Sequence, residues 1–309
     1  FFTRYGIHSW WLIGLSVLTM ALLCSLCLNA SKSSAELPTH HECFSSRQQI
    51  FFRFILTSVL FLIAGSMTAA AGNMLALLIP FRYAYVAGVL GTLCFAWLLS
   101  NGNMKPYAWI SVLLTGIFAA FLIWALTKPA EKNVVVASIF VEKKMFPAAI
   151  SAVGYSSMNI AVSIGIICRS RGESQRENNG LSLLMGISFG VLLFMSNLLY
   201  IRCPESWEST FPILGFLEEG GTGGYLFCVA LLYFAILTSL VALVYTLKCD
   251  MKMAGLRGGV FSGVILGIPF VVSLIGFAGI VEYLYAPSGI LCLVFVFLPM
   301  IQKQFRKDY

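Results

Sequence analysis

Long apolar runs alternate with short polar stretches along this chain. Each run has about 20 residues, the length that a helix rising ~1.5 Å per residue needs to cross ~30 Å of hydrocarbon. Backbone groups inside lipid must be hydrogen-bonded within the protein, and the runs lack the two-residue alternation of barrel strands. The pattern therefore predicts an all-α bundle with nine spans, at approximately 9–28, 52–79, 83–99, 107–126, 146–167, 180–201, 223–247, 259–279 and 281–300.

The composition agrees with a membrane protein. The 309 residues are 59% hydrophobic and 11% charged, whereas soluble domains carry about 25% charged residues. We therefore expect residues 1–309 to form one transmembrane domain whose main partner is the lipid bilayer. Basic residues lie at the ends of the runs and in loops and form no basic stripe, so nucleic acid is not an expected partner.

The positions of the basic residues predict the orientation of the chain. If the loop after the first span is cytoplasmic, the inner segments hold thirteen of the 20 basic residues, which favours a cytoplasmic carboxyl terminus in a bacterial cell membrane. Four lysines between residues 128 and 144 oppose this orientation. The thirteen residues are Lys32, Arg47, Arg53, Lys105, Arg169, Arg171, Arg176, Lys248, Lys252, Arg257, Lys303, Arg306 and Lys307.

Cysteines and loops offer few reactive groups. The cysteines inside apolar runs are interpreted as small buried hydrophobic residues, in preference to a disulfide framework or a redox CxxC at 24–27. These are Cys24, Cys27, Cys94, Cys228 and Cys292. The metal-ligand types at 40–43 are assigned to a solvated loop. The segment 202–221 fits equally an outer surface helix or an ordinary loop.

The span 146–167 is the first candidate for a binding site. Its centre reads Gly154, Tyr155, Ser156, Ser157, Met158 and Asn159, and a helix broken there would turn free backbone groups toward a mid-membrane cavity. A continuous helix whose Ser and Asn side chains bond to neighbouring helices explains the same residues equally well.

The span 223–247 is the second candidate. Thr238 and Ser239 are adjacent hydroxyls, and hard oxygen ligands of this kind suit Na⁺ when backbone carbonyls complete the shell. Taken alone, such a pair more often bonds to its own helix. Glu282, the one carboxylate that the predicted spans place near the hydrocarbon boundary, is interpreted as an interfacial anchor rather than a coupling group.

Small residues predict close helix packing. Gly259, Gly263 and Gly267 repeat every four residues, Gly186 and Gly190 form a second pair, and the run 64–73 makes the second span slender. The sequence contains no Walker motif, HExxH or Gly-x-Ser-x-Gly, so an enzyme is not expected.

The opening residues Phe1-Phe2-Thr3-Arg4-Tyr5-Gly6 resemble the segment that follows the first helix in the YkvI-type family of bacterial membrane proteins. That resemblance implies the LeuT fold, a five-plus-five inverted repeat, with the first of ten helices absent from this chain. It places Gly154, Tyr155, Ser156, Ser157 and Asn159 at the substrate site and makes Thr238 and Ser239 similar to the paired hydroxyls that bind sodium in transporters of that fold.

The function implied by the resemblance is cation-coupled transport of a small solute by alternating access, with an amino acid as an expected solute and Na⁺ as the expected coupling ion. No other cofactor is expected. The alternative is a ligand-sensing membrane subunit of the same fold that does not transport, similar to germinant-receptor permease subunits. A companion subunit or a long cytoplasmic domain would favour that alternative.

Overall fold

The computed structural model describes residues 9–30, 46–79, 81–102, 104–127, 145–202, 211, 213–214, 222–253 and 259–307. Nine helices account for almost all of these residues. They are α1 (Ser9–Ala30), α2 (Ser46–Leu78), α3 (Ala84–Leu99), α4 (Met104–Thr127), α5 (Met145–Arg169), α6 (Gln175–Arg202), α7 (Thr222–Met253), α8 (Gly259–Ser273) and α9 (277–307).

The nine helices confirm the nine predicted apolar segments. Seven of them are long and apolar enough to cross a membrane, whereas α3 and the apolar part of α8 are shorter. The chain is therefore a multi-span helical membrane protein. The largest errors in the predicted bounds are at α2, which begins six residues earlier, at α7 and α9, which continue six and seven residues further, and at the break before α9, which lies at 274–276.

Large apolar side chains cover the outside of the bundle. Trp109 is 76% exposed, Phe54 69% and Leu98 65%. Surfaces of this kind are rare on soluble monomers but are required where hydrocarbon chains surround the protein. The exposed residues are therefore interpreted as the lipid-facing surface.

The helices pack in two sets. α1 packs against α5 and α6, while α2 packs against α3, α7 and α8. α9 contacts α5, α2 and α1, and α4 contacts α7 and α6. α5 also touches α2 and α7, so it lies where the two sets meet.

Several predicted glycine contacts are confirmed, but the one on α8 is wrong. A Cβ added to Gly186 would lie 2.9 Å from Ala21, and one added to Gly190 would overlap Val17, so α6 packs closely on α1. On α8, by contrast, no described atom lies within 4 Å of a Cβ added to Gly263 or Gly267. These glycines face away from the rest of the described bundle.

The slender segment predicted in α2 is confirmed by its contacts and its burial. Gly65 packs against Val272 of α8, and Gly72 approaches Val89 of α3. Most side chains between residues 64 and 73 are buried, including Ser66 at 1% exposure.

α9 departs from regular α-helix in two places. Residues Ile280–Tyr285 and Leu293–Phe297 are π-helical, and the seven α-helical residues Ala286–Cys292 separate them. Before α9 the chain turns through Gly276, the one residue in the described part of the chain with positive φ, at +87°. π-Helical turns accommodate an extra residue and occur frequently at functional sites.

Four of the five cysteines predicted to be buried are buried, namely Cys24, Cys27, Cys228 and Cys292, and Cys94 is wrong because it lies on the exposed surface. None of the seven cysteines that the structure describes forms a disulfide. The loop residues 40–43 and most of the segment 202–221 lie outside the described residues, as does the side chain of Glu282.

Candidate functional site

α5 runs unbroken through the predicted binding segment, so of the two alternatives for 154–159 the unwound helix is not the one observed. The reason for glycine at 154 is close packing rather than unwinding. A Cβ added to Gly154 would lie 3.0 Å from the carbonyl oxygen of Ala286, and one added to Gly289 would overlap the backbone of Gly154. α5 and α9 therefore cross backbone to backbone.

The hydroxyls of this segment are bonded within the bundle. Ser156 is fully buried and donates to the carbonyl oxygen of Ser16 on α1, at 3.0 Å, and to that of Ala152, at 3.1 Å. Ser157 donates to the carbonyl of Val153 at 2.8 Å. Ser156 thus joins α5 to α1, which is the second of the two explanations that the sequence left open.

An aromatic cluster lies beside these hydroxyls. The ring of Tyr155 stacks on that of Phe189 of α6, with 5.9 Å between the ring centroids, and lies tilted against that of Tyr285 of α9, with 5.6 Å between the centroids. The amide nitrogen of Asn159 donates to the carbonyl of Tyr155 at 2.7 Å. We name Tyr155, Asn159, Phe189 and Tyr285 the central cluster.

The central cluster lies at a special point of the fold. Tyr285 is the last residue of the first π-helical segment of α9, and Phe189 lies midway along α6. Aromatic faces and an amide near the middle of the membrane offer stacking and hydrogen bonding without a charged group. Tyr155 and Asn159 were among the predicted binding residues, whereas Phe189 and Tyr285 were not, because only tertiary packing brings α6 and α9 to α5.

The hydroxyls of the predicted sodium site bond to their own helix. Thr238 and Ser239 both donate to the carbonyl oxygen of Ala235, at 3.0 Å and 2.9 Å. Thr238 is half-buried and Ser239 is exposed. Because each hydroxyl uses its proton in this bond, the oxygen lone pairs remain available as ligands.

A buried ion pair joins α2 to α7. Asp250 is 2% exposed and accepts a hydrogen bond from Arg53 Nε at 2.9 Å and another from the hydroxyl of Thr57. This carboxylate was not predicted to lie in a span, because the predicted span ended at residue 247. Glu282 is therefore not the one carboxylate near the hydrocarbon boundary, as the predicted spans had indicated.

A second buried charge joins α7 to α3. The Lys248 ammonium, 4% exposed, donates to the carbonyl of Trp97 at 2.7 Å, to Ser100 Oγ at 2.6 Å and to Asn101 Oδ1 at 2.8 Å. It also lies 3.6 Å from the centre of the Trp97 ring, a cation–π distance. The lysine therefore caps the carboxyl end of α3, where free carbonyls and the helix dipole favour a cation.

Among the residues that the structure describes, no three His, Cys, Asp or Glu side chains are arranged to hold a metal ion. Comparison with known proteins found no family model that matches the chain and no curated protein that matches it.

Proposed function

We propose that this protein is a cation-coupled secondary transporter of a small solute that works by alternating access. The observation that carries the proposal is the division of the helices into two sets that are each held together by buried polar contacts. Alternating access requires two such rigid bodies on either side of a central binding site.

The first set is α1, α5 and α6. Its helices are joined by polar side chains at both membrane faces and between them: Ser156 to Ser16, Asn197 to Ser9 at 3.1 Å, and Asn178 to Asn29 at 3.2 Å. Buried polar contacts of this kind hold membrane helices in one relative position.

The second set is α2, α3, α7 and α8. Its polar contacts are the Arg53–Asp250 ion pair, the Lys248 contacts with α3, the pair Thr92 and Tyr233 at 3.2 Å, and the bond from the Tyr85 hydroxyl to the carbonyl of Ser273 at 2.7 Å. Each of the four helices takes part in at least one of them.

The two sets meet at small and apolar residues. A Cβ on Gly165 of α5 would lie 2.7 Å from the hydroxyl oxygen of Thr246 on α7, so the helices are in close contact there. Thr246 keeps its own hydrogen bond to the carbonyl of Ala242 at 2.9 Å. A contact made by packing alone separates at lower cost than a buried charge pair.

The pattern of helix contacts supports the LeuT-like arrangement as part of this proposal. Shifting the helix number by five maps one contact onto another: α2 with α8 onto α7 with α3, α2 with α9 onto α7 with α4, and α1 with α9 onto α6 with α4. An offset of five reverses the direction of each helix across the membrane, as an inverted repeat requires. α5, which pairs with no helix under this offset, carries Tyr155 and Asn159 of the central cluster.

We place the solute at the central cluster and the cation at Thr238 and Ser239. Tyr155 and Asn159 supply the contacts to the solute, while Gly154 and Ser156 fix the position of α5 through the contacts described above and Ser157 bonds within α5. The two hydroxyl oxygens on α7 contribute to a Na⁺ shell that other oxygens complete. The protein lies in the bacterial cell membrane with the face that holds Arg53 and Lys248 toward the cytoplasm.

The test is uptake by the full-length protein in liposomes. Labelled L-alanine, L-leucine and L-phenylalanine are offered with and without an inward Na⁺ gradient, and we expect uptake of at least one of them to need the gradient. Thr238→Ala should reduce the Na⁺ affinity about tenfold, because it removes one ligand, whereas Thr19→Ala removes a similar back-bonded hydroxyl on α1 and should change nothing.

Equal uptake with and without Na⁺, together with an unaffected Thr238→Ala variant, would show that the sodium assignment is wrong. Solute binding by folded protein without any gradient-driven uptake would instead support the ligand-sensing alternative.

A further inference from the structure

Ser66, midway along α2, has a hydroxyl without a hydrogen-bond partner. Its side chain is 1% exposed, and no donor or acceptor in the described structure reaches its Oγ. Neighbouring hydroxyls in the spans behave differently: Thr68 donates to the carbonyl of Ala64 at 2.6 Å, and Ser157 donates to that of Val153. Ser66 therefore does not follow the usual way in which membrane helices satisfy a hydroxyl.

An unpaired hydroxyl in an apolar interior is unfavourable, because the group loses its bonds to water and gains none. Close packing alone would be served at this position by alanine, the residue found at 64 and at 69–71 of the same segment. The Ser66 hydroxyl is explained if its hydrogen-bond partner is a molecule that binds beside it in another step of the proposed transport cycle.

The geometry of α2 gives the direction of Ser66. At 3.6 residues per turn, Ser66 is about 100° around the helix from Gly65, which packs on α8, and about 120° from Gly72, which packs on α3. It is about 180° from Thr57, which contacts α7. The remaining helices packed on α2 are α5 and α9, so Ser66 faces the side on which the two sets of helices meet.

The depth of Ser66 matches that of the central cluster. Thr57 lies level with Asp250, and nine residues further along α2 place Ser66 about 14 Å deeper. Gly165 lies level with Thr246, which is four residues before Asp250 on α7. Asn159 precedes Gly165 by six residues on α5 and lies further from the Asp250 level. Asn159 is therefore about 15 Å from the Asp250 level.

We propose that the Ser66 hydroxyl is a solute contact, and that it binds a hydrogen-bonding group of the solute from the α2 side while the central cluster binds from the α5 side. The described side chains at this depth carry no charge. An unpaired ion bound there would keep its full desolvation cost, so we assign the solute to the class without net charge. This assignment rests on the proposed transport function.

The first experiment separates binding from folding. Ser66→Ala should raise KM about fivefold for whichever of the three amino acids the wild type takes up fastest, the effect of one neutral hydrogen bond, with the melting temperature unchanged. The matched control is Thr68→Val, which removes a hydroxyl already bonded on the same helix, and its KM should stay at the wild-type value. An unchanged KM for Ser66→Ala in a transporting protein would overturn this assignment alone, whereas a wild type without uptake would overturn the transport proposal.

The second experiment does not need a solute. N-Ethylmaleimide reacts with thiolates in water, so Ser66→Cys should be labelled at position 66 at least tenfold faster than Thr68→Cys at position 68, as measured by mass spectrometry of the tryptic peptides. Equal and negligible labelling at the two positions would show that Ser66 faces no aqueous cavity and would overturn the assignment.

Discussion

Asp250 and Lys248 lie two positions apart near the end of α7, and each holds a different helix. Residues two apart on a helix point in different directions, so Asp250 reaches α2 and Lys248 reaches α3. Charged side chains in membrane spans are costly and face the interior of the bundle when they occur. The end of α7 is therefore fixed on two sides by groups whose removal exposes an unpaired partner.

We expect Asp250→Asn to destabilise the protein more than any substitution of an exposed carboxylate. The change leaves Arg53 largely buried without its counter-charge, and breaking a buried pair costs about 3 kcal/mol or more. The free energy of unfolding in detergent, followed by dodecyl sulfate titration, measures the loss. Glu173→Gln, at an exposed loop position, is the control with an expected change close to zero.

Replacing both charges should recover much of that loss, since Arg53→Met with Asp250→Leu leaves no buried charge. A double variant as unstable as Asp250→Asn would contradict this interpretation and would assign the loss to packing instead.

The sequence shows that Lys248 and Asp250 are charged, but not that they are buried and hold α3 and α2. The apolar run ends at Leu247, and the polar residues after it have the composition of a loop. Their burial depends on Arg53 and Trp97, which are 197 and 151 residues away along the chain, and no local pattern contains that information.

At the scale of the element, the crossing of α5 and α9 explains why α5 is continuous at residues 154–159, where the sequence left a broken helix open as an alternative. A glycine followed by small polar residues is typical both of unwinding and of close packing, and Gly289 decides between them because it leaves room for the Gly154 backbone. The irregular segments lie on α9 instead. Apart from Glu282, its π-helical residues are apolar or aromatic, and neither segment contains a glycine or proline that would have predicted it.

Two glycine substitutions test the crossing. Gly289→Ala should lower the free energy of unfolding by about 3 kcal/mol, because its methyl group would overlap the backbone of Gly154. Gly263→Ala on α8 faces open space and should leave stability unchanged or raise it by up to about 1 kcal/mol. Detergent unfolding of both variants measures the difference, and equal stabilities would show that α5 and α9 do not cross as described.

At the scale of the whole molecule, the number of helices was predictable and their arrangement was not. In a soluble protein the polar face of a helix points outward, but here both faces of a span are apolar. On α3, for example, Leu93 is 2% exposed and Leu98 is 65% exposed, although the residue type is the same. The hydrophobic pattern therefore predicts where a helix crosses the membrane but not which of its sides meets another helix.

Single cysteine substitutions at exposed sites test the orientation. Asn101→Cys and Glu173→Cys lie on the face that holds Lys248, and Arg82→Cys lies on the opposite face. We expect a membrane-impermeant maleimide added to intact cells to label the Arg82→Cys variant at position 82. The other two variants should stay unlabelled at positions 101 and 173 until the cells are lysed. The reverse result would place the carboxyl terminus outside.

The Arg53–Asp250 pair also has a consequence for biosynthesis. Because 197 residues separate the partners, a ribosome adding about 5–20 residues per second completes Arg53 roughly 10–40 s before Asp250 emerges. During that interval the five helices α2 to α6 must be inserted, and the Arg53 guanidinium remains unpaired with Asp250 at the membrane surface. In the proposed orientation both partners lie at the cytoplasmic face, so neither charge would have to be translocated. Arg53 thus first fixes the start of α2 at the membrane surface. It pairs with Asp250 only later, after α7 has been inserted.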